Sequence, residues 1–257
     1  MWLGEKILLL CSRSPDQPDF AAKHDQWNET NALDLLRQEF PGFDGLIAGK
    51  AVLDFGCGRG WQSLAMARGG AKRVLGVDTN TTALQSARAL VGSSGLLDRL
   101  GFGEQLRAED AGSFDVAISQ NSFEHFPDPA QILRQLTGAL RPGGRLLITF
   151  SPPWFAPYGS HATFFTKLPW VNLLFSERTV MRVRSRFRSD GAQRYGDVEG
   201  GLNQMSVARF ERLMGTSGLE MEWKRYRCVK ALNFLGEIPG MRELFVNAIS
   251  CALTKAA

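Results

Sequence analysis

The chain opens without a run of apolar residues long enough to enter a bilayer. Its first stretch, MWLGEKILLLC, carries about five consecutive apolar residues, 7 to 11. A spanning helix needs roughly 20, and a secretory signal core at least about 7, so no membrane span is expected. Cysteine is scarce too. Four residues (Cys11, Cys57, Cys228, Cys251) lie far apart with no CxxC pair. That excludes a disulfide framework and a zinc site, so no metal is expected and a reducing cytoplasm is the expected location. Only three histidines are present, His24, His125 and His161, and no internal repeat or low-complexity tract occurs.

What is present is ordinary in bulk and uneven in detail. With 257 residues, 44% hydrophobic and 22% charged, the chain can bury a substantial core. The net charge of +4 is modest, but ERTVMRVRSRFR places Arg178, Arg182, Arg184, Arg186 and Arg188 within a few residues. Such a run reads either as a solvated face or as a patch for an anionic or carrier-bound substrate.

Apolar strand-like segments alternate with helix-like ones. Residues 26 to 40 read as a helix, KAVLDFG as a strand, WQSLAMARGGA as a helix stopped by Gly69 and Gly70, RVLGVD as a strand and TNTTALQSARALV as a helix. A third strand is expected near 98 to 107, where the pattern is weakest. FDVAIS is a further strand, PAQILRQLTGALRPGG a helix and RLLITF another strand. This alternation implies βαβ units and a parallel sheet covered by helices on both faces. After residue 150 the pattern gives way to Pro and aromatic residues until SVARFERLMGTSG resumes a helix, with Ser206 as its N-cap. LEMEWKRYRCV and VNAISCALTK read as two closing strands. The expected organisation is one domain over 1–257: a ligand-binding core at 26–150, an inserted covering region at 151–205, and a C-terminal helix with closing strands at 206–257.

VLDFGCGRG, residues 52 to 60, sits where a parallel sheet binds ligands, outside the carboxyl end of its first strand. Gly56, Gly58 and Gly60 allow a tight turn and close backbone approach. The spacing is G-x-G-x-G rather than the dinucleotide G-x-G-x-x-G, and Asp54 precedes it. A carboxylate there opposes a pyrophosphate and favours a nucleoside with a cationic tail, which disfavours a nucleotide-dependent oxidoreductase. Asp78, ending the next strand, can accept both hydroxyls of a ribose.

With these residues the chain resembles the class I S-adenosylmethionine-dependent methyltransferases of small-molecule type. VLDFGCGRG, VLGVD, SFDVAISQNSFEHFPDP and ALRPGGRLLITF match that family's motifs in order over residues 50 to 150. The resemblance implies a Rossmann-like α/β fold, a seven-stranded mostly parallel sheet of order 3-2-1-4-5-7-6 with an inserted aromatic lid region. It implies S-adenosyl-L-methionine as cofactor, held by Asp54, Gly56, Cys57, Gly58, Gly60, Asp78, Thr79, Gln120 and Asn121. Glu109 and Asp110 are the candidates by position for the group that meets the adenine amine.

SPPW at 151 to 154 fits the motif of enzymes that methylate bases of nucleic acids, but it stands after the fifth strand rather than the fourth. No basic stripe interleaved with aromatics accompanies it, so nucleic acid is not the expected partner. Transfer to a hydroxyl needs a base. His161, inside the aromatic excursion, is the favoured one, with His125 in FEHF either catalytic or packed behind the cofactor. Trp154, Tyr158 and Phe164, with Phe155, Phe165 and Trp170, are expected to wall an apolar or ring-containing acceptor or to pack the lid. Trp27 and Asn28 are placed at the opposite side of the cofactor. The reading is O-methylation of a small molecule; carrier-bound or nucleic-acid acceptors and a non-catalytic binding module are the alternatives.

Overall fold

The computed structural model describes residues 2–12, 28, 30–198 and 200–257. Its centre is one sheet built from β1 (Ala51–Phe55), β2 (Arg73–Val77), β3 (Leu100–Gly103), β4 (Phe114–Gln120), β5 (Leu140–Phe150), β6 (Glu220–Cys228) and β7 (Val246–Thr254). The strand order is β3-β2-β1-β4-β5-β7-β6. All pairings are parallel except those of β7, which runs antiparallel to β5 and β6. The expected fold class and strand order are therefore present.

Successive residues of the central strands face opposite sides of the sheet. Leu53, Ala117 and Leu146 face a core completed by α6 (Pro129–Ala139) and α9 (Val207–Gly215), through Leu133, Leu136, Phe210 and Met214. Val52, Val116 and Leu147 face a second core. That one is closed by α2 (Asp34–Glu39), α3 (Phe43–Ile47), α4 (Trp61–Arg68) and α5 (Thr81–Ser94), with Leu36, Ile47, Leu64 and Val91. Burial on both faces explains the near-continuous apolar character of VAIS and LLITF.

The helix starts follow local chemistry. Asn80, Asp128 and Ser206 each accept a backbone N–H three residues on, and Pro129 takes the first position of α6. The cap expected at Ser206 is there.

Three expectations are corrected. The helix read over 26 to 40 is confined, among the described residues, to Asp34–Glu39, with turns at 30–33. The helix read as stopped by Pro142 and its glycines ends earlier, at Ala139, because Leu140 already pairs with Phe114. β5 is longer than expected for the same reason. An unexpected helix, α1 (Leu3–Leu10), is also present.

Residues 151–205 carry α7 (Val171–Leu174) and α8 (Glu177–Arg184) and have a small core of their own. Leu8 from α1 joins Ala162, Phe165, Val171, Val180, Met181, Val183, Tyr195 and Leu202 in it. The short α10 (Met241–Phe245) leads into β7. No helix among the described residues is long and apolar enough to cross a membrane.

Candidate functional site

The glycine bend hooks onto the end of β2. Val77 O accepts the N–H groups of both Gly56 and Cys57, at 2.8 and 3.1 Å. Gly56, Gly58 and Gly60 all hold positive φ, 85°, 52° and 81°. They differ in what surrounds them. A Cβ at Gly56 would lie 2.3 Å from Ser122 Oγ, and one at Gly60 2.6 Å from the Phe102 ring. A Cβ at Gly58 would meet nothing within 4 Å among the described residues. Two of the three glycines are thus demanded by the protein's own packing as well as by φ. Gly58 faces open space.

Asp54 is buried and faces α4. Its carboxylate accepts Gln62 Nε2 at 2.9 Å and Ser63 Oγ at 2.5 Å. Burial pushes its pKa up to about 6, partly offset by those two bonds. Asp54 therefore anchors the bend to the start of α4. Asp78 is half-buried: Oδ2 accepts the Gly58 N–H at 2.7 Å and Oδ1 the Asn80 N–H at 2.8 Å. Each oxygen keeps a lone pair for a further donor. Cys57 is buried, its thiol pKa raised by burial, and its sulfur lies beside Gly76. Thr79 is exposed immediately beyond Asp78.

At the end of β4, Gln120 Oε1 is buried with no hydrogen-bond partner among the described residues. Asn121 has φ 49°, and its Oδ1 accepts Ser151 Oγ at 3.3 Å. Ser122 continues the turn onto Gly56. Glu109 and Asp110 lie beyond the end of β3, in a short 3-10 turn. Asp110 caps that turn by accepting the Arg107 N–H, and Glu109 pairs with Arg107 at the surface. Asn28 makes a local turn with Thr30 and Asn31; Trp27 and His24 lie outside the described residues.

The turn from Ser122 to Phe126 carries the next group of functional candidates. His125 Nδ1 lies 2.6 Å from Gly201 O. A carbonyl only accepts, so Nδ1 carries the proton and Nε2 has the lone pair. The rings of His125 and His161 meet edge to face, with centroids 5.4 Å apart. His161 Nε2 is shielded and has no hydrogen-bond partner among the described residues. Burial, then the neighbouring His125, push the His161 pKa down to about 4. Glu124, immediately before His125 in the chain, is buried, its pKa raised to about 8 by burial, and its Oε2 has no hydrogen-bond partner among the described residues.

Asn203 holds this turn. Its Nδ2 donates to Phe123 O and Phe126 O, both at 2.7 Å, and its N–H donates to Glu124 O at 2.9 Å. Asn203, Glu124 and the Gly200–Gly201 pair were not singled out from the sequence. The double glycine in EGGLNQ was the available signal: Gly201 has φ 67°, and its carbonyl reaches His125.

The aromatic excursion divides. Trp154 packs on Tyr195, centroids 4.7 Å apart, and Phe164 on Phe165 at 5.0 Å, beneath Arg184 and Arg188. Tyr158 is exposed, and its carbonyl accepts the His161 N–H. The arginine run also divides. Arg184 is buried in a two-bond pair with Asp190, and Arg182 pairs with Glu5 of α1. A separate cavity of about 290 Å³, lined by Pro127, Asp128, Arg209, Arg212 and others, includes none of the glycine-bend residues. No cluster able to hold a metal occurs among the described residues.

Residues 53–148 match the family described as Methyltransferase domain. A ubiquinone biosynthesis O-methyltransferase from Xanthomonas euvesicatoria pv. vesicatoria (strain 85-10) is 37% identical over 139 residues, 51% of this chain and 58% of the relative. One from Psychrobacter arcticus (strain DSM 17307 / VKM B-2377 / 273-4) is 45% identical over 102 residues, 38% and 39% of the two chains. The chain thus spans 58% and 39% of the length of these two curated relatives. Among solved structures, an S-adenosylmethionine dependent methyltransferase from Mesorhizobium loti aligns with TM-score 0.57 and 21% identity, over 87% of this chain and 98% of that one. The 4+2 cyclase SpnF aligns with TM-score 0.58 and 16% identity, over 89% and 82%. These likenesses establish the fold, which a methyltransferase and a cyclase share.

Proposed function

We propose, from the premise that residues 53–148 form a methyltransferase domain, that this chain transfers a methyl group from S-adenosyl-L-methionine to an oxygen of an apolar small molecule. The observation that carries the proposal is the pairing of an open glycine with unspent acceptors at one end of the sheet. Gly58 offers backbone with no side chain in the way, Asp78 keeps a lone pair on each oxygen, and Gln120 Oε1 is buried and unmatched. A buried acceptor without a donor is costly, and a ligand bearing hydroxyls and amines would relieve it. These residues fit the cofactor: Gly56, Cys57, Gly58 and Gly60 beneath its chain, Asp78 and Thr79 at the ribose, Gln120 and Asn121 alongside. Asp54 acts through α4, fixing the bend.

When bound, S-adenosyl-L-methionine supplies a methyl on a positively charged sulfur, already activated for displacement. The chain's work is then to align the acceptor, exclude water and take one proton. In this reading the proton goes to His125 Nε2. The Gly201 carbonyl fixes the required tautomer, and the turn carrying His125 rests on Gly56 through Ser122. His161, which the sequence alone favoured, serves as the neutral neighbour. With a pKa near 4 it stays uncharged at neutral pH and does not oppose a positive charge on His125. Tyr158 shares the His161 turn, while Trp154 and Phe164 shape the cover behind it. The relatives named for O-methylation support oxygen as the accepting atom.

The test is transfer of labelled methyl from S-adenosyl-L-methionine to a panel of phenols, catechols and aliphatic acids. Labelled phenol ethers are the expected product. Failure of the chain to bind either the donor or its demethylated product in calorimetry would overturn the proposal. Binding without transfer to any member of the panel would reduce it to a binding module.

A further inference from the structure

The outer face of α1 is apolar where a surface helix should be polar. Its inner face packs on the lid: Leu8 is fully buried in the lid core, Glu5 pairs with Arg182, and Gly4 lies against Phe175 and Thr179. Cys11 O accepts Thr166 Oγ1 at 2.9 Å, which pins the helix end. The opposite face presents Leu3, Ile7 and Leu10, spaced i, i+4, i+7 and therefore in one stripe. Leu3 is 74% exposed and Leu10 87%, and Trp2 adds an indole at 71%. Leu173 and Leu174 of α7, next to Phe175, extend the exposed apolar area. Exposed apolar surface of this kind marks an interaction surface.

Its border is basic. Arg178 and Arg182, one turn apart on α8, continue to Arg186 at the same spacing, and all three are exposed. The Arg182–Glu5 pair sets this row beside α1. Lys6 is exposed on α1 itself, and Lys167 follows the Thr166 contact at the end of that helix. The nearby acids are engaged: Glu5 with Arg182, Glu177 with the Tyr195 N–H, and Asp190 with Arg184. A leucine stripe with a terminal tryptophan, flanked by the exposed cations Lys6, Lys167 and Arg178, matches the interface of an anionic bilayer.

We propose that α1, α7 and the cations Lys6, Lys167 and Arg178 form a docking surface for an anionic membrane, with Trp2, Leu3, Ile7, Leu10 and Leu174 entering the headgroup–acyl boundary. The surface lies on the outside of the lid, so docking sets the cover of the candidate site against the bilayer. The proposal stands apart from the methyl-transfer reading, since its test requires no turnover.

The full chain is floated with vesicles of phosphatidylcholine containing one quarter phosphatidylglycerol, and with pure phosphatidylcholine. Wild type is expected to float with the anionic vesicles, to bind neutral ones at least about tenfold more weakly, and to release as salt rises and the Debye length falls. Leu3→Glu with Leu10→Glu should abolish flotation, because both residues are exposed and the fold, checked by circular dichroism, does not depend on them. Lys6→Glu with Arg178→Glu should weaken only the anionic case. Leu97→Glu, at another exposed leucine, should float as wild type does. Wild type that stays unbound at low salt overturns the proposal, as does unchanged flotation of the Leu3/Leu10 variant. So would a dimer in solution that the same variant dissociates while vesicles leave the wild type unbound, since the stripe would then be a protein contact.

Discussion

Single residues at the bend separate holding a ligand from holding the protein. Asp78 faces both ways, accepting two backbone N–H groups while keeping a lone pair on each oxygen for a further donor. Asp78→Ala should lower affinity for S-adenosyl-L-methionine at least about tenfold in calorimetry with an unchanged circular-dichroism spectrum, since two charge-assisted hydrogen bonds are worth more than about 1.4 kcal/mol. Unchanged affinity would remove it from the ribose. His125→Ala should cut methyl transfer by about a hundredfold or more while cofactor affinity holds, the size typical of a lost base. His161→Ala should act differently. Its folded pKa lies near 4, below the ordinary 6.5, so the unfolded chain binds a proton that the native state refuses. Stability is lost as pH falls from 6.5 toward 4, and the alanine variant should lose that acid sensitivity in melting experiments. Glu124 has the opposite sign. Its folded pKa is about 8 against 4.5, so the native state keeps a proton the unfolded state has released. Stability falls as pH rises from 4.5 through 8. Glu124→Gln should flatten that slope; an equally steep decline in the variant would show that another group sets it.

At the scale of elements, the strand–bend–helix unit was legible because it is local. Apolar β1, three glycines and α4 follow each other within twenty residues, and each rule concerns neighbours in sequence. What stayed hidden is why the glycines are needed. Gly60 lies against Phe102 of β3 and Ala87 of α5, contacts that only the sheet order creates. Gly60→Ala should therefore cost about 3 kcal/mol in urea unfolding, combining an unfavourable positive φ with overpacking. Gly58→Ala should cost only the φ strain, about 1–2 kcal/mol, and show its larger effect on cofactor affinity. Equal losses of stability at the two sites would contradict this division of roles. The same limit explains the shortened helix before β1 and the early start of β5. Helical periodicity over 26–40 gives no hint of where turns replace it. Pro142 sets a latest end for α6 but does not reveal the pairing of Leu140 with Phe114.

Across the whole molecule, the Rossmann-like sheet is joined by a second, smaller core in residues 151–205, to which α1 adds Leu8. Arg184 and Asp190 pair within this region, so Arg184→Ala should unfold it before the main domain, seen as early proteolysis within 151–205; a single cooperative transition would show that the region has no separate stability. The sequence by itself determined the parallel sheet, its strand order by family resemblance, and the glycine bend with its acids. Those signals repeat every two or four residues or recur in fixed motifs, and each residue reports on its own backbone. Only the tertiary structure decided that Asp54 turns to α4, that Gly201 sets the tautomer of His125 across 76 positions, that Asn203 clamps the turn beneath it, and that α1 shows leucines to solvent. Each of these joins residues far apart in the chain, and no local pattern encodes which distant groups the folded core will bring to within a hydrogen bond.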